Sequence, residues 1–298
     1  MIVTLTLNPV LHVRYDAERV ELGSINRVSR VRYAAGGRGL VVARLLQKFG
    51  HDVVAAGLAG GSAGELIRND LSRAGVATQF TPITAESRRL VRISDASAGT
   101  ATSFAEPSPY ITTEELGRLA ADYRGLLDGA TAVVLCGSLP DGLPPEIYGS
   151  LTSYAAGAGV PVVLDAGGSA LQHGAARGPA LVIPELADAG LEAAAGSSVV
   201  LAARGGVRAL TPEGEWRAEI GPAGGAGAAG RSSGGDLDRA WFRDALVAGF
   251  VPGIALAWSW PDTLRHAVAL AASALPDGEA DLAAYEVLLP EVTVTGPG

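Results

Sequence analysis

Residues 34–61 read AAGGRGLVVARLLQKFGHDVVAAGLAGG, and their pattern sets the fold class. Gly36-Gly37-Arg38-Gly39 is too rich in glycine for the interior of a helix or strand and marks a turn. From Leu40 onward apolar residues return at helical spacing, so the turn leads into a helix with one buried face. VVAAGLAG then reads as a strand, and SAGELIRNDLSRAG after it as the next helix.

The same alternation runs outward in both directions. IVTLTL near the start is a strand, and AVVLCGSLP, VPVVLDAG and SVVLAA are later ones. Helix-like segments such as ITTEELGRLAADYRGLLDG and PPEIYGSLTSYAAGAG lie between them. Repeated strand–helix alternation implies an α/β fold with a doubly wound, mostly parallel sheet. Two β-leaning patches, at about 10–33 and 86–106, break the alternation and are expected to form a small β-sheet lid on a single domain spanning 1–298. Ligands of open α/β sheets sit beyond the carboxyl ends of the strands. Glycine turns at 36–39, 57–64, 137–142 and 166–168 would line that edge.

Composition narrows the function. The chain has 298 residues, 48% hydrophobic and 18% charged, with a net charge of −8. No run of arginine or lysine is long enough to make a polyanion-binding stripe, which argues against nucleic acid as a partner. No apolar run is long enough to span a membrane. The N-terminus reads as a strand rather than a signal peptide, and the single cysteine, Cys136, suits a reducing compartment. A cytoplasmic location is expected. Lys48 is the only lysine, so an anion site must be built from arginine or backbone N–H groups. The remaining histidines, His51, His173 and His266, lack the spacing of a zinc site.

TLTLNPVLHV, the 34–61 stretch, GSLPDGLPPEIYGSL, VPVVLDAGGSAL, LTPEGEWRA and DALVAGFVPGIALAWSWPDTLRHAVALAASA together resemble the ribokinase/PfkB carbohydrate kinases. The similarity is to the branch of 1-phosphofructokinases and tagatose-6-phosphate kinases. It implies ATP- and Mg²⁺-dependent phosphorylation of a sugar or sugar phosphate, a ribokinase-like fold, and a homodimer through the lid. On the acceptor side it assigns the substrate's phosphate to Gly36, Gly37, Arg38 and Gly39, with Arg38 in place of the family's lysine. Arg88 takes the place of the second phosphate-binding arginine, with Arg89 as the adjacent alternative. Gly137 and Ser138 match the loop that also touches the acceptor.

Other motif positions depart from the family. His12 stands where an aspartate bridges sugar hydroxyls, and Val41 where an asparagine is expected. His12 is either a new general acid/base or a neutral polar filler. The lysine and amide of the magnesium motif are absent, leaving Glu185 and Asp188 as candidate metal ligands. Leu201 replaces a nucleotide-loop serine. The family's Gly-Ala-Gly-Asp turn has two candidate counterparts. Asp244, which opens an apolar run expected to form a helix to about Gly249, matches by its downstream flank, but Trp241-Phe242-Arg243 then replace the glycines. Asp236 follows Ser233-Gly234-Gly235 and matches by local chemistry, with Gly234 and Gly235 as nucleotide-binding candidates. The local chemistry leans to Asp236 as catalytic base.

Two functions follow from these departures. One is a kinase for a phosphorylated ketose, polyol or cyclitol with a remodelled site, using ATP and Mg²⁺. The other is a non-kinase enzyme or pseudokinase of the same fold that binds a sugar phosphate.

Overall fold

The computed structural model describes residues 1–185, 196–203, 206–220, 237–275 and 278–297. Strand β1 (Ile2–Thr6) is buried along its whole length and lies inside a ten-stranded sheet. It pairs in parallel with β4 (Val53–Ala59) on one side and β8 (Ala132–Cys136) on the other. Beyond β4 comes β5 (Ala77–Pro82). Beyond β8 come β9 (Val162–Asp165), β10 (Leu181–Val182) and β11 (Ser198–Ala203), all parallel. Parallel neighbours need a crossover, which is why the helical segments fall between the strands in sequence. Strands β12 (Gly206–Thr211), β13 (Gly214–Ile220) and β14 (Val292–Thr295) complete one edge in antiparallel register. The doubly wound, mostly parallel sheet is as the sequence implied.

Side chains alternate across the sheet, so each strand feeds two cores. Ile2, Val134 and Val163 pack under α1 (Arg38–Lys48), α2 (Gly61–Arg73), α6 (Leu237–Leu256) and α7 (Trp260–Ser273). Val3, Leu5, Val133 and Leu164 pack under α3 (Thr113–Leu127), α4 (Ile147–Gly157) and α5 (Gly168–Ala175). A short α8 (Leu282–Leu288) precedes β14. Among the described residues no helix is long and apolar enough to cross a membrane.

A second sheet stands apart, in the order β3-β2-β6-β7. Its strands are β2 (Val10–Ala17), β3 (Arg30–Gly36), β6 (Arg88–Asp95) and β7 (Thr100–Ala105). The β-leaning patch at about 86–106 is the antiparallel β6–β7 pair. Leu11, Val13 and Ala35 on one face join the core that includes Ala63 and Ile67 of α2, so one side of this lid is anchored.

Helix α6 corrects the sequence reading at both ends. Asp244 was expected to open the helix and Gly249 to lie near its end, whereas the helix runs from Leu237 to Leu256 with Pro252 inside it. It continues because Gly249 and Gly253 serve as contact points with α7 rather than as helix stops. A Cβ on Gly249 would lie 2.4 Å from Ala267 Cα, and one on Gly253 2.3 Å from Thr263 Oγ1. The backbones of the two helices therefore touch, which fixes where Asp244 stands over the sheet. Gly249→Val should force them apart at a cost of about 3 kcal/mol, at the upper end of the overpacking range. Urea denaturation checks this; an unchanged midpoint would mean that the α6–α7 contact is not tight.

Candidate active site

Five charged residues meet at the carboxyl edge of the parallel strands. Asp165 ends β9 and is wholly buried, at 0% exposure. Its Oδ1 accepts from Arg243 Nε at 2.8 Å and Nη2 at 2.5 Å, and its Oδ2 lies 2.5 Å from Arg38 Nη2. Arg38 Nε donates to Asp244 Oδ1 at 3.2 Å, and Nη1 lies 3.4 Å from Glu185 Oε1. Arg243 Nη2 also donates to the Ile183 carbonyl at 2.6 Å. A carboxylate removed from water survives only with such partners.

The turn before α1 brings Arg38 into this cluster. Gly37 has φ of +117°, a region that disfavours any side chain. A Cβ on Gly39 would lie 2.4 Å from Thr6 Oγ1 and 3.0 Å from Cys136 Sγ, so the first turn of α1 rests on the ends of β1 and β8. Burial works against the charge on Arg38, but Asp165 and then Asp244 outweigh it and hold the guanidinium more firmly protonated than usual. For Asp244 the balance is reversed. Burial pushes its carboxyl up to about 7, Arg38 pulls it down, and Asp165 raises it further. The asymmetry is physical: Arg38 is drawn by more than one acid, whereas Asp244 shares its nearest base with a second acid. Cys136, beneath the cluster, is buried and its thiol is raised well above the usual range, so it is inert packing.

A second group of polar atoms lies at the ends of β1 and β8, beside the lid. Asn8 Nδ2 donates to Ser108 Oγ at 2.8 Å, Ser138 Oγ at 3.3 Å and the Leu139 carbonyl at 3.4 Å. Arg88 Nη2 donates to the Asn8 carbonyl at 3.3 Å. Arg88 Nε and Asn8 Oδ1 are both buried without a hydrogen-bond partner. The Gly137-Ser138 loop is held by Tyr148 Oη, which donates to the Gly137 carbonyl at 2.9 Å, and by Gly137 N on the Asp165 carbonyl at 3.1 Å. Arg89, the alternative to Arg88, points to the other face, where Glu86 and Glu106 engage it.

His12 is opposite Ala34 in β3, and its ring lies over Gly36, leaving no room there for a Cβ. Burial, and then Arg14, Arg88 and Arg44, lower its pKa to about 4. It is neutral at pH 7 and a weak base, which suits a polar filler better than a proton carrier.

Of the predicted site residues, the structure gathers Arg38, Asp244 and Glu185 into one cluster and Arg88, Gly137 and Ser138 into the other. Asp188, Gly234, Gly235 and Asp236 lie outside the described residues. Asp165, Arg243, Asn8 and Ser108 were not anticipated as site residues. Asp165 left a signal in VPVVLDAG, a carboxylate ending an apolar strand before a glycine turn. Arg243 left none, because its role depends on how α6 is laid over β9.

The position of Asp244 within α6 has a chemical consequence. Seven helical residues precede it, so it stands about 10 Å from the start of the helix at 1.5 Å per residue. Backbone N–H groups beside it are used within the helix and do not form an anion hole. Guanidinium groups of Arg38 and Arg243 are the positive charge in its place. Among the described residues no group of three or more histidine, cysteine or carboxylate side chains converges to hold a metal. Glu185 meets Arg38 through Oε1, and its side chain is half exposed. A lone carboxylate of this kind fits a magnesium ion that arrives on nucleotide phosphates, not one held by the protein alone.

Asp165→Ala should leave two buried guanidinium groups without their shared acid and cost about 3–5 kcal/mol of stability. Equilibrium denaturation measures this. A loss below about 1 kcal/mol would mean that Asp165 does not organise the cluster.

Residues 7–207 match the pfkB family carbohydrate kinase domain. The chain is similar in fold to a Thermotoga maritima protein described as a possible 1-phosphofructokinase, at 23% identity with 100% of both chains covered and a TM-score of 0.81. It is also similar to phosphofructokinase-2 of Escherichia coli in its tetrameric inhibited form, at 21% identity over 97% of this chain and 98% of that one, TM-score 0.80. The same enzyme in complex with fructose-6-phosphate matches over the same shares at 21% identity with a TM-score of 0.76. Over more than half its length, and with this fold around its charged strand ends, the chain belongs to the PfkB family of carbohydrate kinases.

Proposed function

We propose that the protein is a kinase that transfers the γ-phosphoryl group of MgATP to a hydroxyl of a phosphorylated ketose, polyol or cyclitol. The observation that carries this reading is the polar group around Asn8. Arg88 Nε and Asn8 Oδ1 are buried and unpartnered beside Ser138, a donor and an acceptor held ready for an anionic, hydroxylated ligand. Arg88 and Ser138 bind the phosphate already on the acceptor.

Asp244 is the general base. A carboxylate raised to about 7 is poised to take a proton at neutral pH, and Arg38 at 3.2 Å orients it. As the acceptor oxygen bonds to the γ-phosphorus, its proton passes to Asp244 and ADP leaves. Arg38 and Arg243 stabilise the charge that glycine-turn N–H groups would otherwise meet. Magnesium would neutralise the nucleotide phosphates, with Glu185 in reach of it through water.

Asp244→Asn should lower kcat at least about 100-fold in a coupled ADP-release assay with a panel of sugar phosphates, while Asp236→Asn keeps most activity. The reverse outcome would move the base to Asp236. The sign of the pH dependence follows from the raised pKa. Asp244 must be ionised to accept the proton, so kcat/KM should rise as pH increases through about 7. A flat profile from pH 6 to 8 would remove Asp244 from the proton transfer.

A second reading, a sugar-phosphate-binding member of the family without transfer, is favoured by one observation. The start of α6 and Asp244 are about 10 Å apart, so base and backbone anion hole are separated. Sugar-phosphate binding with no ADP release across the panel would establish it. The same family reading puts a homodimer contact at the lid, where Leu22, Ile25, Tyr33 and Phe104 are exposed.

A further inference from the structure

The lid carries an excess of positive charge in an acidic chain. Residues 10–36 and 88–105 hold eight arginines against four acidic residues, while the whole chain is at −8. Strand register then concentrates part of this charge. Arg14 of β2 is directly opposite Arg32 of β3 and Arg92 of β6, and Arg92 is opposite Ser103 of β7. Paired residues share a face, so three arginines stand abreast on one side of the sheet. It is the same side as His12 and Arg88, which precede Arg14 and Arg92 by two and four residues on their strands. Arg14 lowers the pKa of His12, in keeping with that placement. The opposite face holds Leu11, Val13 and Ala35, packed on the body of the protein.

Like charges directly opposite one another destabilise a sheet. Only one of the three is compensated: Asp16 accepts from Arg32 Nη2 at 3.1 and 2.9 Å through its two oxygens. Arg14 and Arg92 have no carboxylate partner among the described residues. At about 4.8 Å between neighbouring strands, the row spans about 10 Å. This exceeds a single phosphate and suits two or three in line, each met by a guanidinium fork. A longer nucleic-acid strand would run off the lid onto a body more acidic than the whole chain, so the row is matched to a short anion.

We propose that Arg14, Arg32 and Arg92 form a binding site for a small linear polyphosphate anion on the open face of the lid. The site is separate from the Asn8–Arg88–Ser138 group and does not depend on the kinase reading.

Isothermal titration with inorganic triphosphate, in metal-free buffer, tests it. Wild-type protein is expected to bind one triphosphate, more tightly than inorganic monophosphate. Arg14→Ala/Arg92→Ala should weaken binding at least 10-fold, whereas Arg73→Ala/Arg265→Ala, with the same change in net charge away from the lid, should not. Should the alanine pair fail to fold by circular dichroism, Arg14→Gln/Arg92→Gln takes its place with the same expectation. Absence of saturable binding, or equal binding by all variants, would overturn the proposal. A change in oligomeric mass on removing Arg14 and Arg92, with triphosphate binding unaltered, would make the row a subunit contact and overturn it too.

Discussion

The ion pairs of Asp165 join parts of the chain that are far apart in sequence. This fully buried carboxylate ends one strand, and each of its oxygens meets a different arginine. Arg38 reaches it from the first turn of α1, and Arg243 from the middle of α6. Turn, strand and helix are thus held at one point on the sheet edge. A buried acid of this kind contributes less through attraction than through the cost of every arrangement that leaves it unpaired. Asp244 inherits its environment from the same pairs. With Arg38 divided among Asp165, Glu185 and Asp244 itself, and water excluded, its carboxyl is pushed up to about 7. The charges that hold the sheet edge together are in this way the ones that set the protonation of Asp244.

The lid shows how one small sheet serves two purposes. Its packed face is apolar where it meets α2, while the face shared by His12 and Arg88 is polar and basic. Alternation along each strand keeps the two chemistries apart without a thicker structure. Arg88 and Arg89 are the sharpest example. One turns to Asn8 and the other to Glu86 and Glu106, because consecutive residues of a strand point to opposite faces.

Where the sequence reading and the structure part, non-local contacts decide. The fold class was legible because turn–helix–strand periodicity is local, and GGRG, CGSLP and VLDAG each lie at a strand end. Arg88 and Ser138 were legible as a pair from motif positions, and their shared neighbour Asn8 was not. Asp244 was expected to open a helix because an apolar run at helical spacing starts there. Helix α6 begins seven residues earlier, and Gly249 and Gly253, which look like helix stops, lie against α7. Their small size is used for close approach between helices, which no local pattern reports. Likewise no run of basic residues appears along the chain, yet Arg14, Arg32 and Arg92 stand side by side once three strands pair.

By itself the sequence determined the α/β class, the order of strands and helices, the glycine turns at the sheet edge and the family. The first three follow from periodicity and from turn residues whose backbone needs are met within a few positions, and the family from the resemblance of whole motifs. Only the tertiary structure decided which charges meet. It gave Arg38 to Asp165, Asp244 and Glu185, paired Arg243 with Asp165, and made His12 neutral. The physical reason is that burial and charge pairing depend on distances across the sheet, and those are set by register and helix packing rather than by separation along the chain.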